Sequence, residues 1–111
     1  VSDAQEGLRA DFDFIHAEAV KILPTVVIEA NRSVIVIDAP RYGALHRSLQ
    51  YYGLLWAIEE VSPGKGSMSR AHFKRFLAQL CEKGPWTLEF PGGVKATYRA
   101  GRIEIRKLEA T

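Results

Sequence analysis

Apolar side chains open the chain at Leu8, Phe12, Ile15, Ala19, Ile22 and Leu23. Steps of three and four gather them on one stripe of a helix. Asp3 with Glu6 three residues later has the form of a capping box. Pro24 is expected to end this helix, because proline disfavours helical geometry at the residue before it. Thr25 to Ala30 and Ser33 to Asp38 are β-branched runs on either side of Asn31-Arg32, the pattern of a tight hairpin in which asparagine takes up positive φ. Val34-Ile35-Val36-Ile37 is apolar on both faces, as a strand covered on both sides requires.

Asp38 and Pro40 mark the start of a second helix, although Gly43 weakens its first turn. Leu45, Leu49, Tyr52, Leu55, Trp56 and Ile58 keep helical spacing through to Val61. Ser69 is a good N-cap for a third helix, Arg70 to Lys83, with Phe73, Phe76, Leu77, Leu80 and Cys81 as its buried stripe and Gly84 as its stop. From Trp86 the period changes to two. Trp86, Leu88 and Phe90, then Val94, Ala96 and Tyr98, then Ile103 and Ile105 alternate with polar neighbours, and Gly92-Gly93 and Gly101 serve the turns between them. The fold class is therefore α+β: three helices with an antiparallel sheet built from the early hairpin and a C-terminal three-stranded meander. A single domain, 1–111, has three parts: an acidic helix and hairpin (1–38), a helical pair (40–84) and the β meander (86–107).

Composition changes this picture little. Apolar and charged fractions of 47% and 25% are ordinary for a globular protein, and 111 residues can bury a core without staples. The apolar runs are too short to cross a bilayer, and no signal peptide opens the chain, so no membrane partner is expected. The lone Cys81 excludes an intrachain disulfide and fits a reducing, cytoplasmic setting. As one of the apolar stripe it reads as a small core residue.

Charge changes the picture more. Residues 1–40 hold three Lys/Arg against seven Asp/Glu, whereas residues 41–111 hold twelve against six. Such asymmetry can mark a polyanion-binding half, or simply differently solvated faces. Alternation places Lys95, Arg99, Arg102 and Arg106 on one exposed face of the meander, and Arg70, Lys74 and Arg75 project off the third helix's apolar stripe. His46 and Arg47 stand one turn from Tyr51 and Tyr52. Cations beside rings suit nucleic acid, phosphate on one and bases on the other; the plainer reading is an amphipathic helix with core tyrosines. These nine basic residues form the candidate nucleic-acid-binding set.

No catalytic, metal or cofactor residue is expected. His16, His46 and His72 lack metal-ligand spacing and cysteine companions. Ser62-Pro-Gly-Lys-Gly-Ser67 lacks the glycine frame and the Lys-Ser/Thr pair of a phosphate-binding loop, and reads as a connector.

The order of these motifs resembles the region that follows the ATP-binding domain in tRNA(Ile)-lysidine synthetases. The residues that carry the likeness are Leu45-His46-Arg47-Ser48-Leu49 with Leu54-Leu55, Ser69-Arg70-Ala71-His72-Phe73, and Leu88-Glu89-Phe90-Pro91-Gly92-Gly93-Val94, extended by Tyr98, Arg99, Gly101 and Ile103. In that family the complete enzyme uses ATP to activate a wobble cytidine of an isoleucine tRNA and joins lysine to it. Its PP-loop domain carries a Ser-Gly-Gly-x-Asp-Ser signature that this sequence lacks. The resemblance implies an accessory, non-catalytic role: tRNA as partner, a PP-loop catalytic domain in cis or in trans, and ATP used by that domain alone. The Val1 start agrees with an excised segment, and a stand-alone relative is the other possibility. Two rival readings stay open: a winged-helix-like DNA-binding domain with Arg70, Lys74 and Arg75 on its recognition helix, and a protein-interaction module docking through an uncovered Val34–Ile37.

Overall fold

The computed structural model describes residues 17–64 and 68–108. The early part of the first helix, with its capping box and His16, and residues 65–67 of the glycine-rich connector lie outside the described residues. Helix α1 is described over residues 17–26 and passes through Pro24, later than the stop expected at Leu23. A proline here forfeits one backbone hydrogen bond to the residue four back, and the Thr25 hydroxyl donates to the Ile22 carbonyl in the same turn. Strand β1 accordingly begins at Val27 and runs to Ala30, and β2 is Val34–Asp38. Asn31 makes the turn between them as an acceptor: its Oδ1 takes the Ser33 and Val34 amides at 2.8 and 3.0 Å. It is not at positive φ, the mechanism expected for it.

The second helix is two. Helix α2, Ala39–Gly43, is capped by Asp38, whose Oδ2 accepts the Arg41 amide at 2.9 Å. Helix α3, Arg47–Val61, starts afresh with His46 as N-cap, its Nδ1 accepting the Ser48 amide at 3.1 Å. The pieces are locked by a buried polar exchange. The Tyr42 hydroxyl donates to the Gln50 carbonyl, and Gln50 Nε2 donates to the Tyr42 and Gly43 carbonyls at 3.2 and 3.3 Å. Helix α4, Arg70–Leu80, ends three residues before the expected Lys83. Cys81 is therefore the C-cap and is exposed, not part of the core. Its partners on the expected stripe, Phe73 and Phe76, are buried.

Strands β3 (Trp86–Phe90), β4 (Val94–Arg99) and β5 (Arg102–Lys107) form the meander. They join the early hairpin in one antiparallel sheet of order β1-β2-β5-β4-β3, because β2 pairs with β5. On one face, Ile35, Ile105, Ala96 and Leu88 make one row across the strands, and Ile37, Ile103, Tyr98 and Trp86 make the next. The helices cover this face with Leu54, Ala57, Ile58, Val61 and Phe76 in the shared core. All of Val34–Ile37 is buried, as its two-sided apolar pattern requires.

Two turns fix the ends of the sheet. The Ser62 hydroxyl, itself 1% exposed, donates to the Gly92 carbonyl at 3.1 Å and ties the end of α3 to the β3–β4 turn. At the other end the β4–β5 turn has both central residues at positive φ, 53° at Ala100 and 79° at Gly101. That is the I′ hairpin pattern, whose twist matches the strands but strains any residue bearing a Cβ.

Two outcomes follow from these contacts. Ala100→Gly should stabilise the protein by about 0.5–1 kcal/mol through relief of that strain, read as a higher urea midpoint. Burial pushes the Tyr42 phenol far above its ordinary range. The unfolded chain releases that proton near pH ~10 while the folded state holds it, so stability falls as pH rises beyond that point. Tyr42→Phe should cost about 1–2 kcal/mol at neutral pH through the lost hydrogen bond. Its deficit against the natural chain should then narrow above pH ~10 in denaturant titrations.

Candidate nucleic-acid interface

The nine candidate residues fall on two opposite layers. Arg70, Lys74 and Arg75 are exposed on α4, which lies over the inner face of the sheet. Lys95, Arg99, Arg102 and Arg106 share the outer face, as alternation required: Lys95 stands opposite Arg106 and Arg99 opposite Arg102. The sheet separates the two groups, so they are not one patch.

Helix α4 is aimed by its first turn and its aromatic stripe. The Ser69 amide donates to His72 Nδ1 at 3.0 Å, and the His72 amide donates to Ser69 Oγ at 3.2 Å. This capping box uses an imidazole where glutamate or glutamine is usual. Phe76, wholly buried, meets Tyr42, Trp86 and Phe90 at ring-centroid distances of 5.8, 5.7 and 6.1 Å. Tyr51 of α3 meets Phe73 edge-on at 5.0 Å. With one face held this way, Arg70, Lys74 and Arg75 are left outside.

The placement of charge on these two helices runs against the helix dipole. An α-helix favours acids in its first turn and bases in its last. Neither α3 nor α4 has an acid in its first turn or a base in its last; Arg47 and Arg70 occupy their first positions instead. Arg70 and Lys74 are four apart, a like-charge spacing that disfavours a lone helix. The side chains of Arg47, Arg70, Lys74 and Arg75 make no ion pair or hydrogen bond with another described residue. Such a surface concentrates positive potential where the backbone already supplies some.

The outer face of the sheet is different. Glu89 stands opposite Lys95, Glu104 bonds Arg106 at 2.8 Å, Asp38 stands opposite Arg102, and Glu29 lies on the same face opposite Val36. Four carboxylates share the face with four cations, leaving no net charge there. Sequence alternation shows the cations on one face; the acids among them become visible only with the cross-strand register.

His46 is exposed, with Nδ1 occupied as the α3 cap. Its aromatic neighbours Tyr51 and Tyr52 are half-buried rather than core residues. Tyr51 packs on Phe73, while Tyr52 and Trp56 help line an apolar groove of about 470 Å³ beside α1 and β1. That groove was not legible in the sequence; Val20 and Ile28, 59% and 48% exposed, mark its rim.

Among the described residues no helix is long and apolar enough to cross a membrane, and no group of three His, Cys, Asp or Glu could hold a metal ion. Fold and surface define a two-layer α+β domain with a cationic helical face. No protein-family model and no curated protein matches the chain.

The cap makes a direct test of how α4 is held. Ser69→Ala should cost about 1 kcal/mol, measured by urea unfolding followed by the fluorescence of Trp86, whose ring packs on Phe76.

Proposed function

We propose that this chain is the non-catalytic tRNA-binding part of a tRNA(Ile)-lysidine synthetase-like ligase, acting in the cytoplasm beside a PP-loop catalytic domain that alone uses ATP. The observation that carries the reading is the charge reversal on α3 and α4: exposed Arg47 and Arg70 stand at the first positions of helices that gain no stability from them, and exposed Lys74 and Arg75 follow in the second turn of α4. None of these four side chains has an ion-pair partner among the described residues. Phosphate supplies the missing counter-charge, since backbone contacts dominate nucleic-acid affinity. The residues behind the family resemblance also work together here as a scaffold. Leu54, Phe73, Phe90, Val94 and Ile103 are buried, and Gly92 and Gly93 offer the carbonyls that receive Ser62 and Leu108.

Two features weigh against the rival readings. A wing must stand free to reach along a duplex, whereas β4 and β5 are interior strands of a five-stranded sheet. Docking through Val34–Ile37 needs that strand open, and its residues are 1–8% exposed.

Filter binding of tRNA and of duplex DNA, each at two salt concentrations, tests the assignment. The chain should prefer tRNA. Replacing Arg70, Lys74 and Arg75 together by alanine should lower affinity at least about tenfold and flatten the salt slope by about two units, as three lost phosphate contacts imply. Equal binding by that variant, or a preference for duplex DNA, would sink the proposal.

A further inference from the structure

The outer face of the sheet is neutral as a whole but not locally. Its four cations stand as two cross-strand pairs, Lys95 with Arg106 and Arg99 with Arg102. Like charges directly opposite on neighbouring antiparallel strands repel at Cβ separations near ~5 Å. In the first pair the repulsion is offset: Glu89 faces Lys95 from β3, and Glu104 holds Arg106 at 2.8 Å. In the second pair it is not. The β3–β4 ladder ends at Trp86 and Tyr98, so no residue stands opposite Arg99 on that side. Arg102 has only Asp38 across from it, and Asp38 Oδ2 already accepts the Arg41 amide as the α2 cap. Two exposed arginines thus stand opposite each other, and the one carboxylate in their row, Asp38, lies on the far side of Arg102 with one oxygen already engaged.

The backbone beneath them is fixed. Arg99 and Arg102 flank the two-residue turn, and the Gly101 carbonyl accepts the Ala39 amide at 2.9 Å, pinning the turn to the start of α2. Planar guanidinium forks suit an oxyanion with several acceptor oxygens, and the guanidinium–phosphate pair is a strong match of that kind.

We propose that Arg99 and Arg102 clamp a backbone phosphate of RNA, at a site on the opposite layer from the α4 cations. The clamp deepens the tRNA reading and rests on it. Lys95, opposite Glu89, and Arg106, paired with Glu104, then take no part in binding.

The test uses the whole chain with tRNA, and with a short single-stranded RNA followed by NMR. Addition of the oligonucleotide should shift the amides of Ala100 and Gly101, and R99Q/R102Q should abolish that response. The same double variant should lower tRNA affinity about tenfold and reduce the salt slope by about one unit, while K95Q/R106Q changes affinity less than about twofold. If tRNA binds and R99Q/R102Q is silent, the clamp is overturned and the α4 reading stands. If the natural chain binds no tRNA, both fall. An equal response of the turn to poly-glutamate would also overturn the phosphate assignment, pointing to an acidic protein partner.

Discussion

The fold depends on the pairing of β2 with β5. Val34 to Asp38 lie against Arg106 to Arg102 over five residues in register, and the two strands come from opposite ends of the described chain. Without this ladder the early hairpin and the late meander are separate pieces, and the two-stranded hairpin is marginal in water because it needs a third strand or a helix to persist. With it, Ile35 and Ile37 come beside Ile105 and Ile103 and form the floor on which α3 lies. Closing so long a loop is entropically expensive, and the gain is a row of buried β-branched side chains. The local elements become one body only through that exchange.

Given the sheet, the helices are placed by aromatic contact more than by length. Phe76 touches Tyr42, Trp86 and Phe90, so a single side chain joins α4 to α2 and to the edge strand β3. Gly53 performs the equivalent service for α1. A Cβ there would stand 3.0 Å from the Leu23 side chain, so the absence of one lets α1 come close to α3. Ser62 completes the frame by reaching the Gly92 carbonyl from the end of α3. The Pro-Gly-Gly turn is therefore held from outside the sheet as well as shaped by its own glycines.

Features set by neighbours in the chain could be read from sequence, and features set by neighbours in space could not. The strands of the meander and their inward and outward faces follow from a period of two, because alternation is a local property. Ser69 as a cap and the β-branched hairpin are local in the same sense. The break of the second helix escaped because its cap is His46, a residue without strong capping preference. Passage of α1 through Pro24 and the exposure of Cys81 depend on where helices end, the least determined feature of any sequence pattern. Strand order is beyond periodicity altogether, since an apolar strand reads the same beside any partner.

The same distinction decides what the basic residues mean. Counted along the chain, Lys95, Arg99, Arg102 and Arg106 look like a stripe comparable to Arg70, Lys74 and Arg75. Counted in space, they differ. The outer face of the sheet brings Glu29, Asp38, Glu89 and Glu104 among its cations, and opposite charges on one face, closer together than a Debye length, largely cancel at long range. Helix α4 has no acid between Arg70 and Leu80, and its own dipole adds to the field of its cations at the N-terminal end. A long-range pull on a polyanion therefore belongs to the helical layer, while the sheet can contribute only where a cation lacks an acid beside it. Arg99 stands at such a place, opposite Arg102 at the corner where β3 has ended and Asp38 is already engaged.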